Sequence, residues 1–176
     1  MMDPATMTEK PEALEEFIET VVEIKRTSKK TKGGNRLSFT CLAVVGDGAG
    51  KVGTALSRAP NVVSSVKKSM RRARKEMIEF PLIGEARTIP HEIEMTNGAC
   101  RVLLKPAPAG TGIRAGGPVR SVLQAAGIQN VVAKILGSGN KKGNIDTVLI
   151  ALSKLSEPSD RLHDRIHKSK KKKETK

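Results

Sequence analysis

"GDGAGKVG", residues 46–53, is the stretch on which the fold turns. It follows the apolar run Cys41–Val45, and its Gly48, Gly50 and Gly53 satisfy the G-x-G-x-x-G spacing of a dinucleotide-binding turn. That fingerprint needs a strand that turns straight into a helix, so that pyrophosphate meets the helix N-terminus. Here the strand-like run "TALSRA", residues 54–59, stands between Gly53 and the first helix signal, Pro60. The acid expected further on for a ribose is replaced by "KKSMRRARK", residues 67–75. A Walker loop fails as well, because Val45 stands for its first glycine and Val52 for its Ser/Thr. The stretch therefore reads as a β-hairpin turn whose glycines supply positive φ.

The neighbouring elements fall into place around that turn. Upstream, "EFIETVVEIKRT" alternates Ile18, Thr20, Val22 and Ile24 against charge, the period of a half-buried strand. "SKKTKGGN", Ser28 to Asn35, then reads as an exposed loop, and "RLSFTCLAVVGD" as a strand with Leu37, Phe39, Cys41, Ala43 and Val45 on one face. Downstream of Pro60, Val62, Val63, Val66, Met70, Ala73 and Met77 recur at helical spacing, and the unit ends near Phe80. This first unit is β-β-β-α. A second unit comes after it: two strands around Asn97-Gly98, a glycine-rich loop, a short helix from Pro118 to Ala126 capped by Gly127, a strand in "NVVAKILG", a loop "GSGNKKG", and a closing helix marked by Ile145, Val148, Leu149, Leu152 and Leu155. The expected fold class is α+β, two small domains: 14–80 and 88–156, a linker at 81–87, and disordered ends at 1–13 and 157–176.

Charge points to the partner. The chain of 176 residues carries a net +14, and the excess is local. Residues 25–75 hold fourteen Lys/Arg against one acid, Asp47, while residues 1–24 hold seven acids and one lysine. Such a sector repels itself unless a polyanion relieves it. With three Phe, no Tyr and no Trp, base stacking on aromatic platforms is excluded as the main mode, which leaves backbone and shape recognition of structured RNA. No window has the length of a membrane-spanning helix, and no signal or transit peptide is evident, so a cytoplasmic location and no membrane partner are expected. Cys41 and Cys100 lack metal-site spacing and read as small buried residues. His163 and His167 in "HDRIH" have the spacing of a zinc helix but no third ligand, and His91 is the one other histidine. No cofactor, metal, small-molecule substrate or catalytic activity is expected.

Two long stretches, "TKGGNRLSFTCLAVVGDGAGKVG" and "RVLLKPAPAGTGIRAGGPVRSVLQAAGIQNVVAKILGSGN", resemble the small-subunit ribosomal protein S-five family of bacterial type, over roughly residues 14–156. The resemblance implies a first domain like a double-stranded-RNA-binding domain and a second with a left-handed β-α-β crossover. It also implies a place on the ribosome's small subunit, near the path along which mRNA enters, against ribosomal proteins S-four and S-eight, with influence on assembly and decoding accuracy. By position, the loop Ser28 to Asn35 matches the family's RNA-contacting loop near the spectinomycin site, with Arg26, Ser28, Lys29, Lys32 and Gly34 the foremost contacts and Lys30, Gly33 and Arg36 expected beside them; Gly112 and Arg120 match the region facing S-four, and Gly110 is expected in the same interface. Lys51, Arg58, Lys67 and Arg71 complete the expected RNA-binding set. One departure stands out: the family's glycine-rich end of the third strand is replaced by Thr54-Ala55-Leu56-Ser57-Arg58. The alternative reading is a free-standing regulator that binds double-stranded RNA.

Overall fold

The computed structural model describes residues 17–82 and 87–155; the two chain ends, with His163 and His167, lie outside them. The elements run β1 (Ile18–Thr31), β2 (Gly34–Gly46), β3 (Lys51–Ala59), α1 (Val62–Lys75), β4 (Met77–Glu79), β5 (Ile93–Asn97), β6 (Cys100–Pro106), β7 (Ile113–Arg114), α2 (Gly117–Ala125), β8 (Val131–Ile135) and α3 (Lys141–Leu155). They form two four-stranded sheets, ordered β1-β2-β3-β4 and β5-β6-β8-β7. The first is antiparallel throughout; the second has one parallel pair, β7 with β8, joined across α2. This is the expected two-domain α+β fold, with the short strands β4 and β7 added.

Strand β2 explains how the parts are joined. From Cys41 to Gly46 every residue is buried, the mark of a strand covered on both faces. On one face Val45 and Ala55 meet Ala73 of α1. On the other, Leu42, Val44 and Val52 join Val122, Leu123 and Ala125 of α2 and Val148 and Leu152 of α3 in one cluster. The first sheet is thus a middle layer between α1 and the second unit.

Several expectations fail locally. The segment Ser28–Asn35 is no loop: β1 and β2 continue as a paired ribbon, with Lys29 opposite Arg36 and Thr31 opposite Gly34, so Lys32-Gly33 alone forms the turn. Backbone pairing persists there without an apolar pattern to announce it. In β1, a bulge at Val22 shifts the register between Val21 and Glu23. One extra residue flips the remainder of the strand to the other face. Ile24, opposite Cys41, lies on the α1 face rather than with Ile18 and Thr20.

Helix α1 does not bury the valines. Val63 is 64% exposed and Val62 is exposed, whereas Ser65, Ser69 and Ala73 are buried. The serine hydroxyls donate to the carbonyls of Val62 and Val66 at 2.8 and 2.9 Å, so no polar group is left unpaired and small side chains bring the helix close to the sheet. Met77, expected on the helix, lies in β4. Lastly, Lys141–Gly143 belong to α3, and the β5–β6 turn is Gly98-Ala99, one residue later than the Asn-Gly signal.

Candidate nucleic-acid interface

The glycines of residues 46–53 are committed to packing. Gly48 and Gly50 have φ of +67° and +109°, as a tight turn requires. Asp47 closes the turn by accepting the Ala49 and Lys51 N–H groups at 2.7 and 2.9 Å. The turn then docks on the end of α2: the Gly48 and Gly50 N–H groups donate to the carbonyls of Ala125 and Ala126, each at 3.1 Å. A Cβ on Gly46 would collide with the Ala125 carbonyl, one on Gly53 with the Ala73 carbonyl, and one on Gly127 with the Gly48 carbonyl. Arg87, missed by sequence reasoning, donates to the same Gly48 carbonyl at 3.0 Å. No open cradle for a phosphate remains at this joint.

The exposed cations lie elsewhere. Lys29, Lys30, Lys32 and Arg36 surround the ribbon tip, all exposed and none in an ion pair among the described residues. Gly34 has φ +121° and no atom within 4 Å of where a Cβ would stand; Gly33 beside it needs no positive φ. The register divides the set between two faces. Arg26, Ser28 and Lys30 lie on the face that α1 covers further along, opposite Phe39, Leu37 and Asn35. Lys29 and Arg36 oppose each other on the other face, in line with Arg58, which pairs with Thr40. Like charges directly opposite destabilise a ribbon until a counter-charge arrives.

Lys67 and Arg71 are exposed on α1, and Lys75, not among the expected residues, extends their row at i, i+4 and i+8. That spacing was the available signal for it. Other basic residues are already engaged: Arg72 with Glu76 at 2.9 Å, and Arg74 with Glu19 at 2.5 Å. Lys51 sits near the Gly46 end of β2, where β3 begins. Ten strand residues, or about 33 Å, separate Gly46 from Arg36, so Lys51 belongs to no common patch with the tip.

Glu23, turned by the bulge, binds Lys25 at 3.1 Å and Lys141 of α3 at 2.8 Å. Hydrogen bonds from Lys141 first, and Lys25 second, hold its carboxyl below the ordinary value of 4.5. In the second unit, Asn130 Oδ1 accepts the Gly112 N–H at 3.0 Å, and the Val131 N–H donates to the Gly112 carbonyl at 3.2 Å. This fixes the loop Gly110–Gly117 at its base, with Gly110 and Gly112 at φ +88° and +72°. Arg120 is exposed on α2 and makes no ion pair among the described residues. Among the described residues no group of His, Cys, Asp and Glu could hold a metal ion, and no helix is long and apolar enough to cross a membrane.

Family models match both units: "Ribosomal protein S5, N-terminal domain" over residues 17–81 and "Ribosomal protein S5, C-terminal domain" over 96–165. The chain belongs to the ribosomal protein S5 family. "Small ribosomal subunit protein uS5" of Thermotoga neapolitana is 48% identical over 82% of this chain and 80% of its own length. The protein of the same name from Syntrophobacter fumaroxidans is 45% identical over 80% of this chain and 83% of its own. "Small ribosomal subunit protein uS5c" of Thalassiosira pseudonana is 42% identical over 87% and 85%. Ribosomal protein S5 is a structural, RNA-binding component of the ribosome and not an enzyme.

Proposed function

We propose that this chain is built into the small ribosomal subunit and holds ribosomal RNA through the β1–β2 ribbon. The observation that carries this reading is the tip, where Lys29, Lys30, Lys32 and Arg36 are exposed, unpaired among the described residues and spread over both faces of a two-stranded ribbon. A ribbon charged on both faces is neutralised by insertion between RNA segments rather than by lying flat on one. Arg26, Ser28, Gly33, Gly34, Arg58, Lys67 and Arg71 extend the contact along the ribbon and onto α1; Lys51 would meet a separate phosphate. The second unit faces proteins: Arg120 and Arg114 are the charges between Pro106 and Lys134, which suits a partner carboxylate better than RNA. By family resemblance the partners there are S-four and S-eight, close to where mRNA enters, and the contact at Gly110, Gly112 and Arg120 bears on decoding accuracy.

The test is the salt dependence of binding to a matching ribosomal RNA fragment. With about six phosphates neutralised, log K should fall with log salt at a slope near −4 to −5, and replacing Lys29, Lys30, Lys32 and Arg36 by Gln should flatten it by about 3. A slope unchanged by the four substitutions would refute the ribbon as the anchor. For the protein face, Arg120→Leu should leave subunit assembly intact while altering stop-codon readthrough in a reporter; loss of assembly with unaltered accuracy would contradict it.

A further inference from the structure

The two edges of β3 are used differently. On one side β3 pairs with β2 without a break from Val52 to Ala59. On the other, β4 covers only Lys51–Gly53, and no described strand pairs with Thr54–Ala59. In an antiparallel pair, residues that exchange bonds with the partner alternate with residues whose N–H and C=O point away from it. The Asp47 N–H donates to the Lys51 carbonyl at 3.2 Å on the β2 side, and the Phe80 N–H to the Gly50 carbonyl at 3.0 Å on the β4 side. Odd-numbered residues of β3 therefore bond β2, and even-numbered ones point outward. Thr54, Leu56 and Arg58 turn their N–H and C=O groups to the open edge, while Ala55 and Ser57 are buried against the sheet's interior. This edge floors a groove: a cavity of about 240 Å³ runs over Leu42 and Leu56, between Arg72 and Glu76 of the α1 end and Lys142 and Asp146 of α3.

We propose that the Thr54–Ala59 edge takes up an extended segment of a partner protein as an added strand, with an aliphatic side chain of that segment over Leu42 and Leu56. The backbone groups favour a polypeptide. Alternating N–H and C=O along an edge match another strand, whereas the carbonyls repel a phosphate. Charge points the same way. Arg72 meets Glu76 at 2.9 Å and Lys142 meets Asp146 at 3.7 Å, so each wall is neutralised from within. On the same helix Lys67, Arg71 and Lys75 make no ion pair among the described residues. The groove is thus a neutral channel in a cationic sector, suited to a segment without net charge. Size agrees as well: the cavity is smaller than those that enclose small ligands, roughly 300–1,000 Å³, and the six-residue edge spans about 20 Å, the length of an ordinary strand. Leu56, 39% exposed, is an apolar anchor without a partner above it. A second copy fits less well, because its own β3 carries helices on both faces and these would meet the same walls.

The test starts from a displayed library of random short peptides selected on the full chain. Enriched peptides should carry aliphatic residues at alternate positions. One of them is synthesised and added while amide exchange is read residue by residue. Exchange at Thr54, Leu56 and Arg58 should slow by about tenfold or more, and Ala55 and Ser57, already bonded to β2, should keep their rates. Leu56→Glu, which sets a charge on the groove floor at an exposed position, should weaken the peptide by about tenfold. Unchanged exchange at Ala55 and Ser57 shows that this variant keeps its sheet; should they be disturbed, the milder Leu56→Gln takes its place with the same expectation. Absence of any enriched peptide would overturn the proposal, as would protection spread over odd and even amides alike. Slowing of the three amides by a matching ribosomal RNA fragment but by no peptide would make the edge an RNA surface and overturn it too. The same slowing on concentrating the protein alone would assign the edge to a second copy, with the same consequence.

Discussion

The two turns that bound β2 contain glycines for opposite reasons. At Lys32-Gly33, before Gly34, a Cβ would meet nothing, and the chain projects into solvent with cations on either side. At Gly46 and Gly50, protein backbone occupies the space where side chains would stand, and the turn between them is bonded to α2. In the first turn glycine provides a backbone angle alone, at Gly34; in the second it provides an angle at Gly48 and Gly50 and room at Gly46 and Gly50. An exposed turn can be altered at the cost of local strain, but a buried one transmits any enlargement to both layers that it joins.

The largest effect should come from the joint. Gly46→Val places a branched side chain against the Ala125 carbonyl, and we expect a loss of about 3 kcal/mol or more in chemical denaturation. A loss below about 1 kcal/mol would mean the joint opens easily and would erase the contrast between the turns. At the tip, Gly34→Val meets no atom but must hold φ +121°, so a cost of about 1–2 kcal/mol is expected, together with weaker RNA binding. Gly33→Ala sharpens the point. With open space and no positive φ, it should stay within about 0.5 kcal/mol of the parent.

The smallest effect concerns Glu23, which ties β1 to α3 through Lys141. Its carboxyl titrates lower in the folded protein than the ordinary 4.5. The folded state therefore gains from the charged form, fully above that ordinary value, and loses the gain as pH falls through the lowered one. Parent and Glu23→Gln should differ in stability at neutral pH and converge in acid, and added salt should narrow the gap. A gap that persists in acid would assign the effect to packing instead.

Much of this architecture can be read from the residues. The interrupted spacing after Gly53 separates a hairpin from a nucleotide turn, whereas the run Cys41–Gly46, read as a strand with one inward face, is buried on both. The partner of the turn was not legible, because Ala125, Ala126 and Gly127 lie more than seventy positions downstream of Gly50 and no local pattern links them. The bulge at Val22 was hidden for a different reason: one extra residue leaves the alternation of side chains looking unbroken in sequence. The burial of Ser65 and Ser69 carries no sequence signal, because it depends on each hydroxyl finding a carbonyl on the preceding turn. In the candidate interface the cations themselves were evident, but their division between two ribbon faces required the register of β1 against β2.

The cluster shared by the two units also has a consequence for synthesis. Translation delivers the first sheet and α1 complete by Phe80, while Leu42, Val44 and Val52 wait for covering residues that end at Leu155. At about 5–20 residues per second the ribosome takes on the order of 4–15 s to supply the intervening stretch. During that interval the nascent sheet presents one bare apolar face, a substrate for a chaperone or for another unfinished chain, and its folding is completed only when the last helix has left the exit tunnel.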